Sequence, residues 1–308
     1  MNGGLTGAER AVAVRAAVCL GPVSAGGDMS RWAREIESLD PMRDHERIGY
    51  LLGAYEFAWD IEKALQFALF RTYAVPSISG LLSRTGEFRL RPRKRYDDTE
   101  LLLSEIGENG QDSARGRAAI ARMNAMHGRY RISNADMRYV LSTFVVEPKR
   151  WIDRFGKRPL TPREIDAGVQ YYRALGAKMG ITDLPESYEG FDALNRAYEA
   201  EHFRPAPSNA EIGNRTRDLL LSFYLPRWLV PLGRPAVHAL CDRPLRRAMG
   251  FADPPRWLEA ALVGGLRLRG RVLRRLPARR RPRLITSRRR PTYPHGYRIE
   301  ELGTFPGK

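Results

Sequence analysis

The sequence predicts an all-α protein built as a single multi-helix domain. Apolar residues recur every three or four positions along most of the 308 residues, which is the spacing of an amphipathic helix, and the two-residue alternation of a strand is almost absent. An apolar content of 43% is enough to bury a sizeable core in a chain of this length. We expect residues 29–278 to form this domain and residues 279–308 to form an Arg- and Pro-rich tail that does not pack well.

The first 28 residues carry a short apolar stretch that Arg15 interrupts. Because a signal peptide needs an uninterrupted apolar region, we expect residues 1–28 to be a disordered extension or an upstream translation, with Met29 as the true start. No apolar run reaches the roughly 20 residues that span a bilayer. The two cysteines form neither a disulfide framework nor a metal motif, which fits a reducing, cytoplasmic compartment.

The N-terminal helices are predicted from apolar stripes that proline ends. Residues 30–39 carry apolar side chains at four- and three-residue intervals, which predicts a short first helix. Residues 43–74 continue this spacing as one long helix or a pair of helices, until Pro76 ends the pattern. We expect the basic stretch 89–96 to be a solvated linker.

The starts of the central helices are predicted from capping residues. Residues 97–98, both aspartates, are placed to cap a helix that runs toward Ile106. A second helix ends near His127, where Gly128 breaks the pattern. The next helix, at about 134–146, is apolar on two sides, so we expect it to lie at the centre of the fold.

The strongest local signal is a helix start at Thr161. Thr161 can accept from the backbone of the first turn, the proline that follows suits the first helical position, and Glu164 can reach back to the cap. This helix should end at Met179. Two further helices are expected to begin near Tyr188 and Ser208.

The C-terminal third combines apolar, Pro-rich and Arg-rich segments. Residues 224–240 form either a hairpin that dips toward a membrane surface or a buried irregular connection. Residues 254–276 predict a basic amphipathic helix. Twelve Arg and no acidic residue lie between Arg267 and Arg290, and without them the net charge of +17 falls to +5. Most of the excess positive charge therefore lies in this one segment and not across the whole domain.

This basic segment has three interpretations: a solvated tail, a contact with anionic lipid, or a nonspecific contact with nucleic acid. The amphipathic helix with Trp257 favours the membrane surface. A docking motif and the aromatic residues of a specific nucleic-acid site are missing. We therefore predict contact with an anionic membrane through residues 254–290, and a cytoplasmic protein that is peripheral at the inner membrane face.

The stretch from Arg122 to Trp151 holds the residues most suggestive of chemistry. His127 lies at a predicted helix–helix corner with Arg122 before it and Arg129 and Arg131 after it. A His in this setting can be a metal ligand or a catalytic group, and the alternative is a hydrogen-bonded structural His. The five His residues show neither an HExxH pair nor the spacing of a zinc site.

Several longer stretches resemble one known family. They are DHERIGYLLGAYEFAWDIEKALQFALFRTYAVPSISGLL at 44–82, KRYDDTELLL at 94–103, MNAMHGRYRISNADMRYVLSTFVVEPKRWIDRFGKRPLT at 123–161 and MGITDLPESYEGFDALNRAYEAEHF at 179–203. With the closing RRRPTYPHGYRIEELGTFP, they resemble the MpaB oxygenase family, whose domain is shared with the latex-clearing rubber oxygenases. The resemblance covers nearly the whole chain.

The resemblance implies an all-α domain that binds haem b and uses O2. In the rubber oxygenases the reaction cleaves an isoprenoid carbon–carbon double bond, and MpaB is membrane-bound and linked to cleavage of a prenyl side chain. The present chain is expected to lack the N-terminal membrane anchor of that member. We accordingly expect a haem-dependent oxidoreductase that acts on a hydrophobic, isoprenoid or prenylated, substrate. The alternative is a non-catalytic helical protein that binds lipid or a partner and has lost the metal site.

The resemblance assigns the iron ligand to His127. Arg122 and His127 match the R-x4-H pattern of the family. Many relatives have a further His in the next helix, the axial ligand of the rubber enzymes, and Leu141 occupies that position here. His127 is then the replacement ligand, with His202 and His238 as the next candidates.

The resemblance also suggests roles around the haem. Arg122, Arg129 and Arg131 would bind the propionates, because the guanidinium fork suits a carboxylate. Arg122 and Glu147 are the predicted catalytic residues, and Glu147 or Glu199 would accept a proton.

An axial His needs a partner that orients its imidazole, and the haem macrocycle needs apolar walls. Asp136 or Glu147 would orient the His127 ring. The expected walls are Met126, Val140, Leu141 and Phe144.

Overall fold

The computed structural model describes residues 29–304, and the predicted extension at 1–28 lies outside them. Over the described residues the chain folds into fourteen α-helices without a β-strand, and the prediction of an all-α fold is confirmed. The helices are α1 (Arg31–Glu37), α2 (His45–Leu51), α3 (Ala58–Thr72), α4 (Pro76–Thr85), α5 (Glu87–Leu90), α6 (Pro92–Asn109), α7 (Ala114–His127), α8 (Asn134–Phe155), α9 (Pro162–Lys178), α10 (Tyr188–His202), α11 (Pro207–Ser222), α12 (Val230–Leu240), α13 (Arg243–Met249) and α14 (Arg256–Arg274).

Three short non-α elements complete the description. A π-helical turn at Leu52–Glu56 joins α2 to α3, and 3₁₀ turns lie at Arg227–Leu229 and Ile299–Glu301. Within residues 29–304, no helix has both the length and the apolar character that crossing a membrane requires.

Helix α8 is the centre of the fold, as its two apolar sides predict. It packs against α3, α9, α10 and α14. Tyr139, Val146 and Ile152, spaced six or seven residues apart along the helix, are at most 1% exposed. The helix also continues through Pro148 to Phe155, several turns beyond the predicted 134–146.

The start of α6 differs from the prediction. The stretch 89–96 is not a solvated linker, because α6 begins at Pro92. Asp97 and Asp98 therefore lie inside the helix and are buried, where they cannot cap it. They accept instead from Arg93 and Lys94, one turn earlier.

The expectation that the C-terminal tail does not pack is wrong for its described part, up to residue 304. Acidic side chains of α6 face this segment and neutralise it. Arg290 donates to Asp97 and Glu100, Tyr293 donates to Asp98, and Tyr297 donates to Glu105. The prediction considered the charge of the segment alone, and its partners lie almost 200 residues earlier in the chain.

The segment 224–240 is neither a hairpin nor an irregular connection. It forms the 3₁₀ turn at Arg227–Leu229 followed by α12, in which Pro231 takes an early helical position and Pro235 lies inside the helix. Helix α12 packs against α14. The 3₁₀ turn and α14 place large apolar side chains at the protein surface, with Trp228 in the turn 75% exposed and Trp257 on α14 70% exposed.

Candidate functional site: a buried cavity and a charged cluster

A cavity of about 220 Å³ lies in the middle of the helical bundle. Its walls come from α2 with the π-helical turn, α3, α6, α8, α9 and the start of α10, from Leu160 in a loop, and from Arg283 and Ile285. The apolar part of the lining includes Leu52, Ile61, Leu65, Leu69, Leu103, Phe144, Val145, Ile152, Ile165 and Leu175. The cavity is partly open to solvent, and apolar space with a few polar groups is typical of a site for a hydrophobic small molecule.

Glycines help to keep this cavity open. Gly53 lies in the π-helical turn and Gly168 lies on α9, and both line the cavity. A Cβ atom built at either position would find no atom within 4 Å, so each glycine leaves space that a larger side chain could fill. A π-helical turn of this kind often occurs at functional sites.

One wall of the cavity is polar. Gln66 on α3 donates to the hydroxyl of Tyr96 on α6 over 2.6 Å, and that hydroxyl donates to Glu100 over 2.7 Å. Burial and the neighbouring Glu100 raise the pKa of Tyr96, so the hydroxyl keeps its proton. A ligand that enters the cavity therefore meets hydrogen-bonding groups on the side of α3 and α6 and apolar side chains elsewhere.

A buried charged cluster surrounds Arg71 of α3. Its Nε and one terminal nitrogen donate to the two oxygens of Glu199 over 2.8 and 2.5 Å, and its other nitrogen donates to Asp242 over 2.5 Å. Glu147 lies 3.6 Å away. Burial opposes the charge of Arg71, but these hydrogen bonds and the nearby carboxylates outweigh it and raise its pKa. The cluster holds a permanent cation beside α8.

Glu147 and Glu199, the two predicted proton acceptors, meet in this cluster. Glu147 also accepts from Arg150 over 2.7 Å, and Glu199 accepts from the hydroxyl of Tyr139 over 3.2 Å. Neither carboxylate lines the cavity, although Pro148, directly after Glu147, does. The cluster is therefore a neighbour of the cavity.

His127 lies at the end of α7, away from the residues that line the cavity. Its Nδ1 is buried and has no hydrogen-bond partner among the described residues. Burial, followed by the charge of Arg95, lowers the pKa of His127 to about 4, so the imidazole is neutral at pH 7. A neutral ring with an available nitrogen meets the requirement for an iron ligand.

The other predicted haem-binding residues are only partly gathered around His127. Arg122 donates to the carbonyl oxygen of Leu302 over 2.6 Å, and it lies close enough to Arg129 for that charge to lower its pKa together with burial. Arg131 is exposed. The structure thus places Arg122 near Arg129, while Arg129 and Arg131 are both exposed.

The predicted orienting partners of His127 are engaged elsewhere. Asp136 accepts from Ser77 and Tyr198 over 2.8 Å each, and Glu147 is held by Arg150. The residues predicted to form the apolar walls of a haem site also lie apart from one another. Phe144 lines the cavity, whereas a Cβ on Gly176 would meet Leu141 at 2.7 Å. The donor atom of His127 therefore fits a haem, but the predicted surroundings do not form a haem cradle.

The two backup histidines differ in their availability. His238 is stacked on Phe251, and its Nε2 and Nδ1 are bonded to Arg217 over 3.0 Å and to the carbonyl of Ala252 over 3.1 Å. With both nitrogens engaged, it is a structural residue. His202 lies at the end of α10 against the ring of Tyr198. Among residues 29–304, no three His, Cys, Asp or Glu side chains are grouped so that they could hold a bare metal ion.

Arg71 and the cavity were both missed from the sequence. The available signal for Arg71 was a charged residue inside the apolar run FALFRTYAV of α3, which needs a buried counter-charge. Its partners Glu199 and Asp242 lie 128 and 171 residues later, so local patterns could not identify them.

Residues 65–275 match the family described as "ER-bound oxygenase mpaB/B'/Rubber oxygenase, catalytic domain". The chain is 35% identical over 272 residues to the ER-bound oxygenase mpaB' of Penicillium brevicompactum, an alignment that covers 82% of this chain and 64% of that protein. It is 34% identical over 238 residues to the ER-bound oxygenase mpaB of Penicillium roqueforti (strain FM164), covering 70% of this chain and 79% of that protein. The descriptions of the family and of both relatives are those of oxygenases, and the chain spans less than two thirds of the length of the first relative. The chain belongs to the family of the mpaB oxygenases and rubber oxygenases, as the resemblance predicted.

Proposed function

We propose that this protein is an oxygenase that acts with O2 on a hydrophobic, isoprenoid or prenylated, substrate, and that the substrate binds in the central cavity. The observation that carries the proposal is the largely apolar cavity, most of whose lining residues lie in the region that matches an oxygenase catalytic domain. The apolar walls would hold the chain of the substrate, and the Gln66–Tyr96–Glu100 wall would orient a polar end. Exclusion of water from such a site strengthens each of these polar contacts.

We further propose haem b as the cofactor, with His127 as its iron ligand. The support is the neutral, buried imidazole with an unpartnered Nδ1. Arg122 and Arg129 would contact the propionates from the same corner. When bound, the haem would supply an iron centre for O2 chemistry. Glu147 is the proposed proton acceptor, since the next residue of α8 lines the cavity.

An absorption spectrum tests the haem proposal directly. Protein purified with haem supplied during expression should show a Soret band, and His127→Ala should abolish it. The matched control is His202→Ala, which should leave the band unchanged because His202 is half-exposed at a helix end. A band that persists in His127→Ala would overturn the assignment of the ligand, and no band in the unsubstituted protein would overturn the haem.

A non-catalytic lipid- or partner-binding protein is the second candidate function. Leu141 favours it, because this side chain is buried against Gly176 at the position where the rubber enzymes are expected to carry their axial His. This candidate predicts binding of apolar ligands without a Soret band and without consumption of O2.

We also propose peripheral contact with an anionic membrane through residues 254–290. Helix α14 carries two apolar faces. The inner face, with Val263 and Leu266, packs against the core. The outer face is exposed at three- and four-residue intervals and consists of Trp257, Ala261, Gly264, Leu268 and Val272. Exposed arginines flank this outer face, and an apolar stripe with flanking cations suits an anionic bilayer surface.

Vesicle sedimentation tests this contact. Leu268→Glu and Val272→Glu should each weaken binding to vesicles of phosphatidylcholine and phosphatidylserine about tenfold, since each removes one buried apolar side chain from the contact. Leu90→Glu is the matched control, because Leu90 is equally exposed but lies on α5. Equal loss in the control, or no loss in either α14 variant, would contradict the proposed surface.

A further inference from the structure

Residues 283–288, here named the strap, close one side of the cavity. Arg283 and Ile285 are the only cavity-lining residues, among those described, that follow Tyr188 in the chain. The strap contains no regular helix or strand, whereas most other walls of the cavity come from helices. Among the described residues, the strap and Leu160 in the loop between α8 and α9 are the lining parts that lie outside helices.

Two carboxylates of the cavity wall and one backbone carbonyl anchor the strap, since the backbone amide of Arg283 donates to the carbonyl oxygen of Ala54 in the π-helical turn over 2.9 Å. Glu62 on α3 accepts from Arg283 over 2.9 Å and from Arg288 over 2.7 Å. Glu108 near the end of α6 accepts from the backbone amide of Ile285 over 2.6 Å and from the hydroxyl of Thr286. These contacts are polar and local, so breaking them does not require unpacking of the apolar core.

The anchors bury charge at the edge of the cavity. Burial raises the pKa of Glu108, against the lowering effect of its hydrogen bonds from Thr286 and Ile285. Burial also lowers the pKa of Arg283, which its attraction to Glu62 opposes. The closed position of the strap thus includes desolvated charged groups that opening would return to water.

The strap lies next to an exposed apolar surface. Tyr224, Trp228 and Leu232 follow one another at four-residue intervals and are exposed. The ammonium of Lys63 lies 5.3 Å from the ring centre of Tyr224 and 2.9 Å from the carboxylate of Glu62. Lys63 therefore contacts both Glu62, which anchors the strap, and Tyr224 of the exposed apolar surface.

We propose that the strap is the entrance of the cavity and that it opens beside a membrane contact formed by residues 224–232. An apolar substrate then passes from the bilayer into the cavity without crossing bulk water. The partner is an anionic phospholipid bilayer, which the neighbouring cations, such as Arg227, complement. This inference rests on the proposed function, because it takes the cavity as the substrate site.

Transfer of an apolar fluorophore from vesicles tests the entrance. N-phenyl-1-naphthylamine is loaded into phosphatidylcholine–phosphatidylserine vesicles, and its arrival in the protein is followed by stopped-flow fluorescence. Arg288→Ala removes one anchor and should raise the rate constant of loading about threefold. Arg289→Ala is the matched control, since it removes the same charge from the adjacent, exposed position. It should load at the rate of the unsubstituted protein.

A second pair of variants tests the membrane side. Trp228→Ala should slow loading from vesicles and leave loading from aqueous solution unchanged, because its exposed side chain touches the bilayer and not the cavity. Leu90→Ala should change neither rate. Equal effects of Trp228→Ala on both routes would overturn the membrane-facing entrance.

The outcomes separate this inference from the proposed function. If the protein takes up no fluorophore by either route, the cavity is not a ligand site and the proposed function loses its support. If uptake occurs and Arg288→Ala loads like Arg289→Ala, the cavity remains a ligand site but the strap is not its entrance. Hydrogen exchange at the amide of Ile285 gives an independent readout, and it should accelerate in Glu108→Ala and in Arg288→Ala but not in Arg289→Ala.

Discussion

Replacing Arg71 with methionine is expected to lower the free energy of unfolding by about 3–5 kcal/mol, because it leaves buried carboxylates without their cation. Of the buried carboxylates, Glu199 would lose direct hydrogen bonds and Glu147 would lose a neighbour at 3.6 Å, while Asp242, which also loses its hydrogen bond, is 47% exposed and can turn to water. Methionine fills most of the space of the arginine stem. The loss of stability should therefore come from the missing charge and not from an unfilled space. Urea unfolding followed by circular dichroism at 222 nm measures the difference.

The control for Arg71 is another arginine with a carboxylate partner at the surface. Arg234 pairs with Asp218 over 2.8 Å, but its side chain is 42% exposed. Arg234→Met should therefore cost about 1 kcal/mol or less. If both variants lost a similar amount of unfolding free energy, burial would not make the ion pairs of Arg71 more stabilising than a surface ion pair.

Gly270→Ala is expected to destabilise the protein by about 2–3 kcal/mol. A Cβ atom at this position would lie 2.6 Å from the carbonyl oxygen of Phe155 and 2.7 Å from that of Gly156. Both are backbone atoms at the end of α8, so neither can rotate away. The backbones of α14 and of the end of α8 would have to move apart at this contact, and thermal unfolding should show the loss of stability.

The same substitution at Gly264 is expected to have the opposite sign. Gly264 lies in the same helix, on its outer face, and an added Cβ would find no atom within 4 Å. Alanine there should stabilise the protein by about 0.5–1 kcal/mol through helix propensity alone. If Gly264→Ala and Gly270→Ala changed stability in the same direction, the close contact between α14 and α8 would not be the reason that position 270 requires glycine.

The helices could be predicted where their signals are local. Thr161 accepts from the backbone of Glu164, and the Glu164 side chain accepts from the backbone of Thr161, as the sequence indicates. The start of α6 could not be predicted in this way. Asp97 looks like a cap, but Arg290 stabilises it inside the helix from 193 residues away.

The site was less accessible to prediction than the fold. His127 and Arg122 were identified from their positions at a corner, and the buried Nδ1 of His127 has no hydrogen-bond partner within residues 29–304. The cavity could not be predicted from local patterns, because it depends on missing side chains, such as the one at Gly168, and on the assembly of six helices around the space. Whether a glycine borders empty space or a neighbour is set by tertiary packing.

The contact between the C-terminal segment and α6 also has a kinetic consequence. The hydrogen bond of Arg290 to Asp97 closes a loop of 193 residues, and Ile299 and Leu302 complete an apolar cluster with Leu101 and Ile106. Contacts of such high sequence separation form slowly. During synthesis, α6 can find its full set of partners only after residue 302 has left the ribosome. We therefore expect a slow final phase in refolding, reported by the ring of Tyr293 as it docks on Asp98.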